Sequence, residues 1–492
     1  MVELFLLTAL LLPLVVSGLV AVLGRWPNLR DGVMVAVAAL LLPVVVQLAV
    51  WVHQGVDVQL VVVDMLPGIP LAFEVEPLGL VYALVASSLW PITALYAVGY
   101  LRGHHEHNQT RFFVYFSAAI SAAMGIAFSA NLLTLFVFYE VLTLSTYPLV
   151  THHQDEEARR AGRVYLGILL FTSVGLLLLG IAWTGAVAGT LDFRAGGILA
   201  GHIDPGWPLA VLLGLYAFGI GKAGLMPFHR WLPNAMVAPT PVSALLHAVA
   251  VVKAGVFSIL KVVVYVFGLE LLSTSGMSVW LMGAAAFTIL CGSLIAMTKD
   301  NLKERLAYST ISQLAYIVLG AALATPAGIM GGALHITMHA FGKITLFFCA
   351  GAIYVATHKK KVSQMDGLGR QMPWTYAAFA VGAFSVIGVP PFGGSWSKWY
   401  LAMGALGAEQ PLLVGVLMVS SLLNIAYLMP IVGRGLFLPA PQATVDAGYD
   451  ERHWMTVVPP VVSAVGCLVL FFYADALYDL VLPVVAAGGA GV

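Results

Sequence analysis

Five lysines lie inside long apolar stretches of the sequence, where a charged group is costly to bury. They are Lys222, Lys253, Lys261, Lys343 and Lys398. A charge at the centre of a bilayer costs at least about 2.5 kcal/mol, so such residues usually line a hydrated cavity or pair with one another. Lys261 is near the end of its stretch, and its ammonium is expected to reach the membrane interface. The other four lysines are candidates for function.

Histidines accompany two of these lysines. His335, His339 and Lys343 follow one another at intervals of four residues, which places them along one face of a helix over about 12 Å of rise. His247 and Lys253 lie six residues apart on another apolar stretch. An imidazole can accept a proton on one nitrogen while the other donates, and a desolvated lysine can exchange its proton. This combination of residue types predicts a path for protons.

Glu140 is the carboxylate that lies deep inside an apolar stretch, within the segment FVFYE. Lys222 is its expected partner. A buried pair of this kind can act as a switch, because separation of the partners or entry of water changes which protonation state is favoured.

Two of the apolar stretches are interrupted by glycine and proline, at residues 221–227 and 388–394. Broken helices mark sites in membrane proteins, because irregular backbone there must line a cavity or be buried in protein. Lys222 lies at the first break and Lys398 just after the second. We expect Lys222 near the negative end of one half-helix and Lys398 near the positive end of another.

The composition excludes several classes of protein. Charged residues make up 9% of the 492 residues, against roughly a quarter in soluble domains, and 60% are hydrophobic. A net charge of zero gives no basic face for nucleic acid. The three cysteines are far apart, so neither a disulfide framework nor a metal or redox motif is predicted, and we expect no cofactor. Two polar loops, GHHEH at 103–107 and HHQDEE at 152–157, are interpreted as solvated.

The apolar stretches predict an all-α, multi-pass membrane protein with about fourteen transmembrane helices, since a helix of about 20 residues crosses a bilayer. The loops after odd-numbered spans hold the loop lysines and arginines, except Arg194. This asymmetry predicts that both termini lie on the outer face of the plasma (inner) membrane. The broken spans are numbers seven and twelve, five apart, which suggests two inverted five-helix repeats. The predicted segments are 1–111 (helices 1–3), 112–266 (first repeat), 267–434 (second repeat) and 435–492 (a loop and helix 14).

Four stretches closely resemble the antiporter-like proton-translocating subunits of Mrp cation/proton antiporters, respiratory complex I and membrane-bound hydrogenases. They are GKAGLMPFHRWLPNAMVAPTPVSALLHAVAVVKAG at 221–255, KERLAYSTISQLAYIVLG at 303–320, LHITMHAFGKITLFFCAGAI at 334–353 and VIGVPPFGGSWSKWY at 386–400. The resemblance implies a fourteen-helix fold and a proton relay. In order, the implied relay consists of Glu140, Lys222, His247, Lys253, His335, His339, Lys343 and Lys398.

The resemblance also implies a transporter subunit that works with other membrane subunits. Chain length and the lysine at position 398 make the sequence most similar to the D-type subunit of an Mrp antiporter, which exchanges protons for Na⁺ or another monovalent cation. One alternative is a subunit of complex I or of a hydrogenase, where electron transfer elsewhere drives the protons. Another is a membrane scaffold that pumps nothing, including a partner of an inorganic-carbon uptake protein.

Overall fold

The computed structural model describes residues 2–451 and 453–486. Arg452, one of the loop cations, and the last residues of the segment 435–492 lie outside this range. The helices up to residue 275 are α1 (Val2–Val22), α2 (Pro27–His53), α3 (Pro77–Gly103), α4 (Gln109–Ala127), α5 (Leu132–Val150), α6 (Glu156–Thr172), α7 (Leu178–Ala188), α8 (Trp207–Gly219), α9 (Trp231–Asn234), α10 (Thr240–Ala244), α11 (Val251–Val262) and α12 (Leu269–Ser275). The later helices are α13 (Val279–Thr298), α14 (Leu302–Ala322), α15 (Pro326–Thr357), α16 (Pro373–Ile387), α17 (Gly394–Gly407), α18 (Pro411–Phe437), α19 (Gln442–Ala447), α20 (Trp454–Phe472) and α21 (Ala474–Ala486).

The helical membrane fold predicted from the sequence is confirmed. Among the described residues, eleven helices are long and apolar enough to cross a membrane, and α8 and α16 are shorter apolar helices. The count of fourteen spans stays a prediction, as does the division into four segments. The last predicted span is interrupted at Tyr473, so that α20 and α21 are separate helices.

A two-stranded antiparallel sheet lies between α2 and α3, although the sequence predicted an all-α protein. Its strands are β1 (Gln59–Leu66) and β2 (Ile69–Glu74), joined by a turn in which Gly68 has a φ of +76°. Backbone bonds tie β2 to the chain that precedes α5: Glu74 N donates to Phe128 O at 2.7 Å, and Ala130 N donates to Ala72 O at 3.0 Å. The hairpin therefore adds a small β element to an otherwise helical protein.

Side-chain caps fix where several of the central helices begin. The side-chain oxygen of Asn131 accepts a hydrogen bond from Thr134 N at the start of α5, at 2.8 Å. Asn301 and Thr325 cap α14 and α15 in the same way. Such caps satisfy backbone N–H groups that have no partner within the helix. They set the starting points of three helices that carry candidate site residues or contact them.

Both predicted breaks are present. α8 ends at Gly219, and a 3₁₀ turn at Gly221–Ala223 carries Lys222 before the chain becomes helical again. Trp231 Nε1 donates to Gly221 O at 3.1 Å and holds this turn in place. The second break separates α16 from α17. The backbone groups freed at each break are available to other partners.

The first break packs against α11 at Gly255. A Cβ added to Gly255 would lie 2.3 Å from both Ala223 N and Lys222 C, closer than any side chain tolerates. Only glycine therefore allows this close approach between α11 and the backbone of the turn that carries Lys222.

The Gly255→Ala substitution should therefore lower the free energy of unfolding by about 1 to 3 kcal/mol, the usual cost of overpacking a core. The measurement is the Tm of the purified protein in detergent. Gly283→Ala in α13 is the control, because a Cβ at Gly283 meets no atom within 4 Å. Equal Tm values for the two variants would contradict this interpretation of the packing.

Candidate functional site

A continuous row of polar side chains connects α11, α15 and α17 in the protein interior. Lys253 Nζ lies 2.6 Å from His339 Nδ1. The rings of His339 and His335 are stacked, with centroids 5.6 Å apart and planes 19° apart. His335 Nδ1 lies 2.8 Å from the hydroxyl of Ser397. We call Lys253, His339, His335 and Ser397 the histidine row.

The histidine row brings together three residues that the sequence singled out and one that it did not. Ser397 escaped attention because a single serine carries no pattern of its own, although it directly precedes Lys398. All four side chains are at most 2% exposed. Nε2 of His335 and Nε2 of His339 are buried without a hydrogen-bond partner in the described chain, so each ring keeps a nitrogen available for a water molecule or a proton.

His247 has no hydrogen bond to this row within the described chain. It sits in a π-helical turn, Leu245–Val249, between α10 and α11, and its ring centroid is 4.6 Å from that of Phe347. Both ring nitrogens are buried without a partner among the described residues. Buried polar groups normally find partners, and π turns occur often at functional sites. His247 is therefore a buried polar group that a water molecule could satisfy.

Glu140 and Lys222, the expected partners, form no hydrogen bond or ion pair with each other among the described residues. Lys222 Nζ donates to Tyr139 O at 2.9 Å and to Thr143 Oγ1 at 2.6 Å, and lies 3.2 Å from the centre of the Tyr139 ring. Both carboxylate oxygens of Glu140 are buried and lack a hydrogen-bond partner in the described part of the chain. Successive residues of a helix point about 100° apart, so Tyr139 faces Lys222 and Glu140 does not. Glu140 still acts on Lys222 electrostatically.

Lys343 shares α15 with the two histidines, but its ammonium does not join them. Lys343 Nζ donates to the hydroxyl of Ser309 and to Leu306 O, both on α14. Ser309 in turn lies 2.7 Å from the hydroxyl of Tyr427 on α18. The helix face is therefore as predicted, but the end of the lysine side chain turns toward different neighbours.

The prediction that Lys398 lies near the positive end of a half-helix is wrong. Lys398 Nζ donates to Ile387 O at 2.7 Å and to the hydroxyl of Ser421 at 3.0 Å. Ile387 is the last residue of α16, so the ammonium lies at the negative end of the preceding half-helix. The side chain is long enough to reach back across the break.

Lys261 is bound at the ends of helices, because Glu76 directly precedes α3 and Ser129 lies between α4 and α5; its reach to the membrane interface stays a prediction. It is 1% exposed, and its ammonium forms an ion pair with Glu76 at 2.6 Å and donates to Ser129 O at 2.6 Å. Lys261 is thus held by a carboxylate, whereas Lys222, Lys343 and Lys398 are held by carbonyl and hydroxyl oxygens. Lys261 therefore differs from these three lysines in having a negatively charged partner.

Residues 129–424 match the family described as NADH:quinone oxidoreductase/Mrp antiporter, TM. The chain belongs to this family. It is 31% identical to NADH-quinone oxidoreductase subunit N of Desulforudis audaxviator, over 96% of each chain. It is 30% identical to hydrogenase-4 component B of Escherichia coli, over 85% of this chain and 64% of that relative, which it therefore spans only in part. The protein is accordingly an antiporter-like proton-translocating membrane subunit.

A solved structure supports the same fold. A chain in the structure of the Mrp complex from Dietzia sp. DQ12-45-1b superimposes on this antiporter-like subunit with a TM-score of 0.84 and 24% identity. The match covers 98% of this chain and 96% of the other. The resemblance inferred from the four sequence stretches is confirmed at the level of the family and of the fold.

The antiporter-like subunit also has a cavity of about 550 Å³ among its cation-rich loops, lined by His104, Glu106, His153 and Lys303 among others. The interpretation of residues 103–107 as a solvated turn is wrong for Glu106, whose side chain is 8% exposed. Glu106 Oε1 lies 3.1 Å from His104 Nδ1 and 3.3 Å from His153 Nε2. The carboxylate therefore sits between two imidazoles at the edge of the cavity.

The charges in this loop cluster depend on one another. Burial alone would raise the pKa of Glu106, but the hydrogen bond from His153 and the nearby histidines lower it overall. The same hydrogen bond raises the pKa of His153 above its ordinary value. Burial lowers the pKa of neighbouring His152 to about 4, so that His152 is neutral near pH 7. The Glu106 and His153 pair is therefore the charged unit of the cluster.

The Glu106→Gln variant should be destabilised more at pH 5.5 than at pH 8. The lowered pKa of Glu106 contributes stability above about pH 4.3, its ordinary value, and loses it as the pH falls further. The raised pKa of His153 contributes stability that is complete below about pH 6.5 and is lost as the pH rises through the folded-state value. Both contributions are present together between these limits. The measurement is the Tm in detergent at each pH.

Glu304→Gln is the matched control for this pH experiment. Glu304 pairs with Lys299 at 3.5 Å, but both side chains are at least 34% exposed, and such pairs contribute little to stability. Its Tm should therefore stay close to that of the wild type at both pH values. A loss of Tm in Glu106→Gln that is the same at pH 5.5 and pH 8 would refute the charged pairing.

Proposed function

We propose that this chain is the proton-translocating subunit of a multisubunit monovalent cation/proton antiporter, in which proton movement is exchanged for Na⁺. The observation that carries the proposal is the histidine row, a buried series of groups that can each accept and donate a proton. Such groups are costly inside a membrane and commonly mark ion pathways. The proposed relay includes Glu140, Lys222, His247, Lys253, His335, His339, Lys343 and Lys398.

The histidine row supplies the central part of this path. A proton on Lys253 can pass to His339 across 2.6 Å, and His335 can pass one to Ser397 across 2.8 Å. The step between the two rings requires a water molecule or a ring rotation, for which both unpartnered Nε2 atoms are suited. Ser397 then delivers the proton beside Lys398, the proposed end of the relay.

Lys222 and Glu140 are proposed to control entry into the relay. The ammonium of Lys222 is held by a carbonyl and a hydroxyl, which are neutral, and Glu140 has no partner of its own in the described chain. A change in the charge of Glu140 therefore acts on Lys222 through space, without a hydrogen bond to break. Proton occupancy at one residue would then alter the occupancy that is favoured at the other.

A second candidate function is a proton-pumping subunit of a redox-driven complex. The relative from Desulforudis audaxviator favours it, because that protein is named as a subunit of NADH-quinone oxidoreductase and aligns over 96% of this chain. The lysine at position 398 favours the antiporter, through the resemblance of the sequence to the D-type subunit. In both cases the chain is expected to be a plasma membrane subunit with its termini on the outer face and other membrane subunits beside it.

Proton flux measured in liposomes that contain the whole complex tests the proposal. We expect Na⁺-dependent proton movement in the wild type, and a fall of about 100-fold in Lys222→Ala and in Lys398→Ala, because each variant removes a proton-carrying group from the relay. Glu140→Ala should lose coupling as well. Wild-type flux that does not depend on Na⁺ would favour the redox-driven alternative.

The control is a buried lysine outside the proposed relay. The double variant Lys261→Met with Glu76→Gln removes an ion pair and leaves no unpaired buried charge. It should assemble and retain proton flux within about threefold of the wild type. Full flux in Lys222→Ala, with normal assembly, would leave the non-pumping scaffold as the better interpretation.

A further inference from the structure

The side-chain amide of Gln313 on α14 has no hydrogen-bond partner within the described chain. Its oxygen and its nitrogen are both buried, and the residue is 0% exposed. The oxygen can accept two hydrogen bonds and the NH₂ group can donate two, and leaving such groups unpaired in a protein interior is costly. Buried polar groups that lack a protein partner are commonly satisfied by ordered water. The amide of Gln313 therefore needs a partner that the packed helices do not supply.

Gln313 lies on the face of α14 that packs against α15. Ser309 and Tyr316 lie four residues before it and three residues after it, and both contact side chains of α15. Residues at such intervals share one face of a helix. The same face continues to Gly320, where an added Cβ would lie 2.5 Å from Gly328 O of α15. Gln313 is therefore part of the interface between the two helices.

The contacts on either side of Gln313 place it at the level of His339. Ser309 accepts a hydrogen bond from Lys343 at one end of this interface. At the other end, the ring of Tyr316 stacks on the first of the two histidines of α15, with centroids 5.4 Å apart and planes 13° apart. The two helices thus run in opposite directions. Gln313 lies between the two contacts on α14, and His339 lies between them on α15.

Two further groups at this level have unused hydrogen-bonding capacity. Nδ1 of His339 lies 2.6 Å from Lys253 Nζ, whereas Nε2 is buried without a partner among the described residues. The ammonium of Lys343 has three N–H groups, and its hydrogen bonds to Ser309 Oγ and Leu306 O use two of them. None of these hydrogen bonds joins His339 to Lys343. A proton therefore needs an intermediate to cross from one to the other.

We propose that Gln313 is a positioning residue of the relay, which holds a water molecule between His339 Nε2 and Lys343 Nζ. This inference rests on the proposed function. A protonated His339 gives its Nε2 proton to the water molecule, while the water molecule gives one of its own protons to the neutral amine of Lys343. Only N–H and O–H bonds form and break, and one positive charge moves from His339 to Lys343. Lys343 thereby joins the histidine row at His339.

An amide suits this task because it is neutral and can both accept and donate hydrogen bonds. The oxygen of Gln313 accepts from the water molecule or its NH₂ group donates to it, so that the water molecule stays bound before and after the proton moves. A charged side chain at this position would instead attract or repel the proton on its way. Gln313 therefore fixes the path of the proton without holding the charge.

Gln313→Met removes both polar atoms of the amide and keeps the length of the side chain. In liposomes that contain the whole complex, we expect proton flux to fall about tenfold, the usual effect of losing one buried hydrogen bond. Gln313→Leu removes the same atoms and serves as the second variant if Gln313→Met does not assemble.

Ser312→Ala is the matched control for the flux experiment. Ser312 is the preceding residue of α14 and is also buried, but its hydroxyl donates to Ile289 O on α13 at 2.9 Å. Its loss removes a hydrogen bond between helices without changing the face toward α15, so the flux should remain that of the wild type. Equal losses of flux in Ser312→Ala and Gln313→Met would overturn the inference, because both would then reflect packing alone.

A second measurement reports on the water molecule and does not depend on transport. Solid-state NMR of the reconstituted complex with ¹⁵N-labelled histidine measures the transfer of magnetisation from water to the ring of His339, whose signal is assigned by its loss in His339→Gln. We expect this transfer to be lost in Gln313→Met and to persist in Ser312→Ala. Persistent transfer in Gln313→Met would refute the role of Gln313. Absence of Na⁺-dependent flux in the wild type would refute the proposed antiport, whereas loss of the transfer in Gln313→Met would still support the position of the water molecule.

Discussion

Burial of ammonium groups inside an apolar helix bundle is the constraint on which the rest of the structure depends. Lys222, Lys343 and Lys398 meet it in the same way, since each donates to one backbone carbonyl and one hydroxyl. Lys261 differs, because its ammonium is paired with the carboxylate of Glu76. The neutral oxygens around the other three lysines satisfy the ammonium without a counter-charge, and the same oxygens can accept hydrogen bonds from a neutral amine. These three lysines can therefore keep hydrogen-bond partners in either protonation state.

The need for free oxygens inside the membrane explains the irregular backbone. In an unbroken helix the carbonyls are occupied by the N–H groups one turn later, and a break releases them. Ile387 ends α16, and its carbonyl accepts from Lys398. The break at Lys222 works differently, because it bends the chain so that the side chain reaches the carbonyl of Tyr139 on another helix. Gly255 permits that bend by allowing α11 to approach it closely.

The positions of the site residues could be read from the sequence, but many of their contacts could not. Lysines within apolar stretches and prolines that interrupt them can be identified in the sequence alone, and the helices that carry them are present as predicted. Contacts depend on the rotation of each helix and on side-chain reach. The rotation of α5 places Tyr139, rather than its neighbour Glu140, against Lys222. The long side chain of Lys398 carries its ammonium to the C-terminal end of α16. Ser309 and Tyr427 had no sequence signal, because serine and tyrosine are common in helices and only the packing of α14 against α18 brings them together.

The members of the proposed relay differ in how they can hold a proton. An imidazole can carry a positive charge, so His335 and His339 can store a proton between steps. The hydroxyl of Ser397 can pass a proton but does not retain the charge, so in the proposed relay it moves a proton toward Lys398 only when Lys398 is neutral. A second ion can influence this step only through residues whose charge changes, which are the lysines, the histidines and Glu140. Ser397 therefore sets how readily protons reach Lys398, whereas the charged residues determine what that movement is coupled to.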